Sequence, residues 1–247
     1  MNYLGQGIVE ALKLIFSFDK ELYKIVYLSL FVSSLSTFVS SLISIPLAVF
    51  LGLKSFKGNK LFARILYTLM STPSVLVGLV IAILLSRRGP LGFLQLLYTP
   101  TAMIIAQTVL VTPLIMGLTY NLTKNRGKEI EKLGITLGGN KFQIILLVIK
   151  ELEVDLFINI VAAFSRAISE VGAVMMVGGN IKGHTRVITT SIAMLNSMGN
   201  YTMAIALGLI LLLISLLINS TIYSFRETEI RQLTLLPTIL SRGSLTK

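Results

Sequence analysis

The chain has 247 residues and a formal net charge of +11, yet 54% of it is hydrophobic and only 13% is charged. A soluble domain carries about 25% charged residues, and the mean hydropathy of +0.83 points the same way. The composition reads as an integral membrane protein and argues against a soluble enzyme, a nucleic-acid-binding domain or a disordered chain. No cysteine is present and there is one histidine, so disulfides, thiol nucleophiles and zinc constellations have no material.

Residues 1–24 carry Glu10, Lys13, Asp19, Lys20, Glu21 and Lys24 and supply no span. Leu4, Ile8, Ala11, Leu12 and Ile15 fall on one helical face, which reads as an amphipathic helix lying at the membrane interface or packed on the bundle. It does not read as a cleaved signal peptide, because acids occupy the n-region and the following apolar run is too long for an h-region. Five stretches then reach the length of about 20 residues that crosses a bilayer. They are Ile25–Leu53, Ile65–Ser86 with Pro73 inside, Thr99–Thr123 with Pro113 inside, about Leu156–Asn180 containing Arg166 and Glu170, and Tyr201–Phe225.

Two connections stand out. Residues 124–155 lack proline and keep helical periodicity through Ile130, Leu133, Leu137, Phe142, Ile145 and Ile149, broken at Gly138-Gly139-Asn140. The pattern predicts helix, tight glycine turn, helix. Residues 178–200 open with Gly178-Gly179-Asn180 and carry hydroxyls around short apolar steps, which predicts a short re-entrant or surface helix. Lysine and arginine concentrate on cytoplasmic loops. Fourteen fall in the loops after spans one and three and in the C-terminal tail, against seven on the other side. The N-terminus is therefore expected outside and the C-terminus in the cytoplasm.

No catalytic set is visible: there is no G-x-x-x-x-G-K-[ST] phosphate loop, no H-E-x-x-H and no G-x-S-x-G elbow. A transporter without its own ATPase motif is either secondary or one subunit of a pump. Arg166 and Glu170 stand four residues apart in span four, which places them on one helix face. They read as a structural ion pair or as part of the path or gate. Thr72 beside Pro73, Thr112 beside Pro113, and Ser169 are further pathway candidates, each weighed against a hydroxyl bonded back to its own helix. Lys182, His184, Thr185 and Arg186 form either a zone where an anion or an anion-carrying partner arrives, or an ordinary polar loop.

The run Glu131-Lys132-Leu133-Gly134-Ile135-Thr136-Leu137-Gly138-Gly139-Asn140-Lys141-Phe142 resembles the E-A-A…G loop of ABC importer permeases. Gly138 matches the family glycine, and Thr136-Leu137-Gly138 its T-L-G. The motif's alanines fall on Leu133 and Gly134, its glutamate on Lys132, and the usual later Leu-Pro on Lys150-Glu151. Arg87-Arg88-Gly89-Pro90-Leu91-Gly92 resembles the R-x-G-P-L-G segment of molybdate and tungstate permeases. Thr99–Gln107, Arg166–Ile181 and Gly183-His184-Thr185-Arg186 resemble the tungstate branch.

The resemblance implies an all-α integral membrane fold. This is the type I ABC importer permease, with five transmembrane helices plus an N-terminal amphipathic helix, a single domain over 1–247. It implies a homodimer in the prokaryotic plasma membrane, two ATPase subunits that hold the ATP and magnesium, and an extracellular binding protein that delivers tungstate or molybdate. The chain itself would bind no cofactor or metal, touch membrane lipid and no nucleic acid, and catalyse nothing. Segment 124–155 becomes the ATPase-coupling hairpin, through Glu131, Leu133, Gly134, Thr136, Leu137, Gly138, Gly139, Asn140 and Phe142. Segment 178–200 becomes the extracellular gate and docking connection. The alternatives are another oxyanion such as sulfate, or a secondary transporter, which would usually show more spans, internal repeats and membrane acids.

Overall fold

A computed structural model describes residues 3–54 and 57–243, with side chains over 8–54 and 57–225. The described residues form helices without strands. Helix α1 covers Tyr3–Phe16 and α2 covers Lys20–Leu53. The break between them is a cap: Asp19 accepts from the Leu22 N–H at 2.8 Å, which satisfies a donor the first turn leaves orphaned. Residues 20–24 thus belong to the first spanning helix and not to an interfacial segment over 1–24. The α1 helix rests on the bundle, with Ala11 fully buried in a cluster with Leu22, Ile25, Ile188, Ala206 and Leu207, while Ile8 and Leu12 remain over 40% exposed. Leu4 and the basic tail residues Arg226, Arg231, Arg242 and Lys247 lie outside the described side chains.

Of the five apolar stretches, three form helices long and apolar enough to cross a membrane without a sharp break: Lys20–Leu53, Pro100–Thr136 and Tyr201–Phe225. The other two are bent pairs. Helix α3 (Asn59–Met70) meets α4 (Ser74–Leu85) at 90°. Pro73 has no N–H to continue α3, and the hydroxyls of Ser71 and Thr72 donate back to the carbonyls of Tyr67 and Thr68 at 3.2 Å each. That closes the helix end inside an apolar stretch, where an open end is costly. The fourth stretch divides into α8 (Glu153–Ile168) and α9 (Gly172–Gly178), bent by 57°.

Helix α5 (Pro100–Leu122) starts on the Thr99 cap with Pro100 in its first turn, a position that needs no N–H. It runs without a loop through a π-turn at Thr123–Gly127 into α6 (Lys128–Thr136), so the expected hairpin is continuous with span three. The chain then folds back as α7 (Lys141–Glu151). Helix α10 (Ile188–Ser197) forms inside the other long connection, and α11 runs over Tyr201–Gly243.

The centre of the bundle is the seam between α2 and α5. Ser29, Ser33, Ser36, Ser40 and Ser44 repeat at helical spacing and are all buried, with Thr37 and Ser41 beside them. Small side chains let two backbones approach closely where hydrocarbon gives no hydrophobic drive between helices. Ser40 Oγ and Thr112 Oγ1 are 3.0 Å apart, and Ser44 Oγ donates to the Thr112 carbonyl at 3.3 Å.

Candidate functional site

The hairpin forms one end of the bundle. Its turn is dictated by sequence: Gly138 adopts φ +77°, open to glycine at no steric cost. The Gly139 N–H reaches the Gly134 carbonyl at 2.9 Å, closing α6 with a reversed turn. Asn140 and Gln143 then cap α7 reciprocally, each side chain accepting the other's backbone N–H at 2.9 and 2.8 Å, as in a capping box.

The apolar stripe expected along the hairpin divides between two faces. Ile144, Val148 and Leu152 pack with Val49 of α2 and Leu156 of α8, while Ile130, Ile145 and Ile149 flank them. Leu133, Leu137 and Phe142 face outward, 64%, 83% and 69% exposed. The inward face was hidden because both faces of α6 and α7 carry apolar residues. Gly134 is buried, Glu131 and Gly139 are half-buried, and Thr136 is exposed with its hydroxyl donating to the Lys132 carbonyl at 2.9 Å. The tip thus offers apolar side chains beside a glycine turn, rooted by the interior cluster and by an Arg126–Asp155 ion pair between the π-turn and the start of α8.

The middle of the bundle holds the bent pairs. Arg166 and Glu170 approach at 3.7 Å, but the helix ends at Ile168, so they do not share one helix face as the spacing predicts. Glu170 is buried, and its Oε1 accepts from the backbone N–H groups of Gly172 and Ala173 at 2.8 and 3.3 Å. It caps α9, with the negative charge at the helix end that favours it. Its backbone carbonyl accepts from Thr189 Oγ1 at 2.6 Å, which ties α10 to the break. The pathway hydroxyls are all bonded back to their own helices: Thr72 as above, Thr112 to Thr108 at 2.7 Å and Ser169 to Ser165 at 2.8 Å.

Gln107 is the residue that sequence reading passed over here. Buried on α5, it accepts from Ser36 Oγ of α2 at 2.9 Å and donates from Nε2 to the Ala167 carbonyl of α8 at 3.0 Å. A lone glutamine among apolar neighbours was the available signal.

At the end opposite the hairpin, residues 178–187 turn back over the start of α2. Thr185 is buried, donating to the Gly178 carbonyl at 2.5 Å and accepting from the Ile181 N–H at 3.0 Å. It holds the turn and is not part of an exposed docking set. Lys182 and Arg186 both pair with Glu21, at 2.7 and 3.7 Å, and His184 is exposed beside them. The Asp19 cap at the α1–α2 turn, legible in the sequence, is what brings Lys20, Glu21 and Lys24 to this cluster. No group of three or more metal-ligating side chains occurs among the described residues.

A family profile described as "binding-protein-dependent transport system inner membrane component" matches residues 44–226, from the middle of α2 through the apolar part of α11. The chain belongs to this family. The permease is 65% identical over 92% of its length to the whole of the tungstate uptake system permease protein TupB of Peptoclostridium acidaminophilum. It is 37% identical to a probable anion ABC transporter permease protein of Haloferax volcanii, over 83% of this chain and 91% of that one. It is 36% identical to TupB of Campylobacter jejuni, over 92% and 95%. Sulfate transport system permeases of Escherichia coli are more distant, at 28% and 25%. The permease is thus an inner-membrane component of a binding-protein-dependent ABC system, a translocation subunit and not an enzyme.

Proposed function

We propose that this chain is the translocation subunit of an ATP-driven tungstate importer, working as a homodimer with two ATPase subunits and an extracellular binding protein. The observation that carries the substrate is the 65% identity to a tungstate uptake system permease over that relative's full length. Molybdate, of nearly the same size and charge, is the expected second substrate. ATP and magnesium belong to the ATPase subunits. The N-terminus lies outside and the C-terminus inside, in keeping with the twofold excess of lysine and arginine on the hairpin side and tail.

In this reading the exposed Leu133, Leu137 and Phe142 at the hairpin tip dock into the ATPase. Closure of the ATPase pair on ATP displaces the hairpin. The displacement passes up the continuous α5–α6 helix and, through Arg126–Asp155 and the Ile144–Val148–Leu156 cluster, into α8. Differential binding of ATP to two arrangements shifts their populations. Glu170 sits where α8 bends into α9 and serves the gate as a cap more than as an ion pair. The connection over 178–200 receives the binding protein and the anion.

The test is reconstitution with the ATPase and the binding protein, followed by ATP-driven uptake of tungstate, molybdate and sulfate. Tungstate transport with sulfate excluded is the expected result. Sulfate transported in preference to tungstate would refute the substrate assignment, and accumulation of the anion without ATP would refute the energy source.

A further inference from the structure

The end of the bundle opposite the hairpin holds an open cavity of about 490 Å³, bordered among others by Lys20, Glu21, Lys24, Lys182, His184 and Arg186. Four cations and one carboxylate border it, a local balance of +3 with the histidine neutral. Among the described residues, Lys20 and Lys24 have no ion pair, and Glu21 alone serves both Lys182 and Arg186. Gly183, at φ +77°, lies beside Lys24: a Cβ there would stand in ordinary contact, 3.7 Å from its Nζ. The cations from α2 and from the connection therefore meet around one space.

Arg186 is the one among them with a buried donor left unpaired. Its side chain is only 13% exposed. One nitrogen lies 3.7 Å from Glu21, another donates to the Met194 sulfur at 3.5 Å, and Nε is buried without a hydrogen-bond partner. A guanidinium presents five donors in a planar fork suited to a multidentate oxyanion, and a buried donor left unmade is costly. Glu21 satisfies this group poorly, at 3.7 Å, while its own side chain is 40% exposed.

We propose that Glu21 is an internal stand-in for a tetrahedral oxyanion dianion: its carboxylate holds the Lys182–Arg186 seat until such an anion displaces it. The inference rests on the reading of the chain as an oxyanion permease and goes further, to one seat and one competitor. A dianion brings two charges and four acceptor oxygens against the carboxylate's one charge and two oxygens. Charge-assisted bonds to Arg186, Lys182 and Lys24 gain accordingly, and the surplus positive field draws the anion in. Displacement of Glu21 also breaks the two ion pairs that hold Lys182 and Arg186 to the start of α2, so arrival of the anion loosens the connection between α9 and α10.

The test uses the full permease assembled with its ATPase in phosphatidylcholine nanodiscs, with tungstate binding measured by equilibrium dialysis at low and high salt. Wild type should bind weakly and lose affinity with salt. Glu21→Gln should bind about tenfold more tightly, the scale of one like charge removed beside a bound dianion. Adding Lys182→Met to Glu21→Gln should return the affinity to wild type or below, and Arg186→Gln should abolish binding. Nanodiscs containing phosphatidylglycerol separate free anion from lipid phosphate. Suppression of tungstate binding there to the same extent in wild type and Glu21→Gln would assign the seat to lipid and overturn the proposal. Unchanged or weaker binding by Glu21→Gln overturns it as well. ATP-driven uptake with the binding protein, measured on the same preparation, separates the two readings. Uptake without a Glu21-dependent seat refutes only this inference, whereas binding at the seat without uptake refutes the importer reading alone.

Discussion

Leu137 is the most exposed large apolar side chain among the described residues, at 83%, and it sits at the hairpin tip where water has no reason to favour it. The turn around it is held by backbone bonds at Gly138 and Gly139 and by the Asn140–Gln143 capping box, none of which uses the Leu137 side chain. Leu137→Ala should therefore leave the isolated permease almost unchanged, within about 0.5 kcal/mol, as for surface substitutions away from structural features. If the tip docks into an ATPase cleft, the same side chain goes from mostly exposed to buried on assembly. Burial of a leucine is worth about 1.5–3 kcal/mol, which weakens the ATPase complex of the variant by about 10- to 150-fold. The assay is titration of labelled ATPase subunit onto detergent-purified permease, with thermal unfolding of the permease alone as control. Equal ATPase affinity for variant and wild type would refute the docking assignment. A large loss of permease stability would refute the claim that Leu137 plays no part in the fold.

Gly138→Val meets no atom within 4 Å of the new Cβ but forces a β-branched residue to φ +77°. It should cost about 1–2 kcal/mol of local backbone energy and reduce ATPase binding while membrane insertion, measured by protease accessibility, stays intact. Gln107→Leu breaks the bonds to Ser36 and Ala167 and should cost about 1–3 kcal/mol, read as a lower unfolding temperature in detergent. Gly78→Leu places a Cβ 2.6 Å from the Ala173 Cα. A backbone clash of that size costs about 1–3 kcal/mol or more, so uptake in reconstituted vesicles should fall even where insertion survives. Glu170→Gln keeps an acceptor for the Gly172 N–H and loses only a long 3.7 Å contact to a half-exposed arginine. It should retain near-normal stability, whereas Glu170→Ala should lose about 1–2 kcal/mol with the α9 cap. Equal losses in the two variants would show that the charge, not the cap, matters.

Hydropathy located the apolar stretches because length and apolarity are properties of the run itself. It gave no bend angle, because a bend depends on where the freed backbone groups find partners. Pro73 marks a break in α3–α4, but the 90° turn also needs Ser71 and Thr72 to close the end. The α8–α9 break has no proline at all. Its signal was Glu170 just before Gly172, a carboxylate placed to cap a new helix start, which reads equally well as an i,i+4 partner of Arg166. The hairpin was legible because Gly138-Gly139-Asn140 interrupts the apolar helical pattern with residues that tolerate the left-handed backbone of a reversal, but its inner face was not, since Ile144 and Leu137 are equally apolar. The serine periodicity of α2 was visible at every third or fourth position and marks a face as clearly as leucines do in a soluble helix.

The two bends also face each other. A Cβ on Gly172, at the α9 start, would lie 2.6 Å from Val75 Cγ2 and 3.0 Å from Ser74 Oγ, at the α4 start, while Gly78 abuts Ala173. Helices α4 and α9 therefore clasp at backbone distance. Tyr98 closes the same block from the loop before α5, with its N–H on the Val177 carbonyl at 2.8 Å and its ring against Gly179. Close-packed groups of this kind shift as bodies and do not deform continuously. The remaining freedom lies at the joints, Ser71–Pro73 and Ser169–Val171, where no α-helical ladder crosses. Gln107 bridges the α2–α5 seam to the last carbonyls of α8, directly below the second joint. A displacement entering at α7 and α8 from the hairpin thus meets the α4–α9 block through one joint and one buried amide. That is why Gln107 and Gly78, far from both ends, are the positions at which stability and transport should fail together.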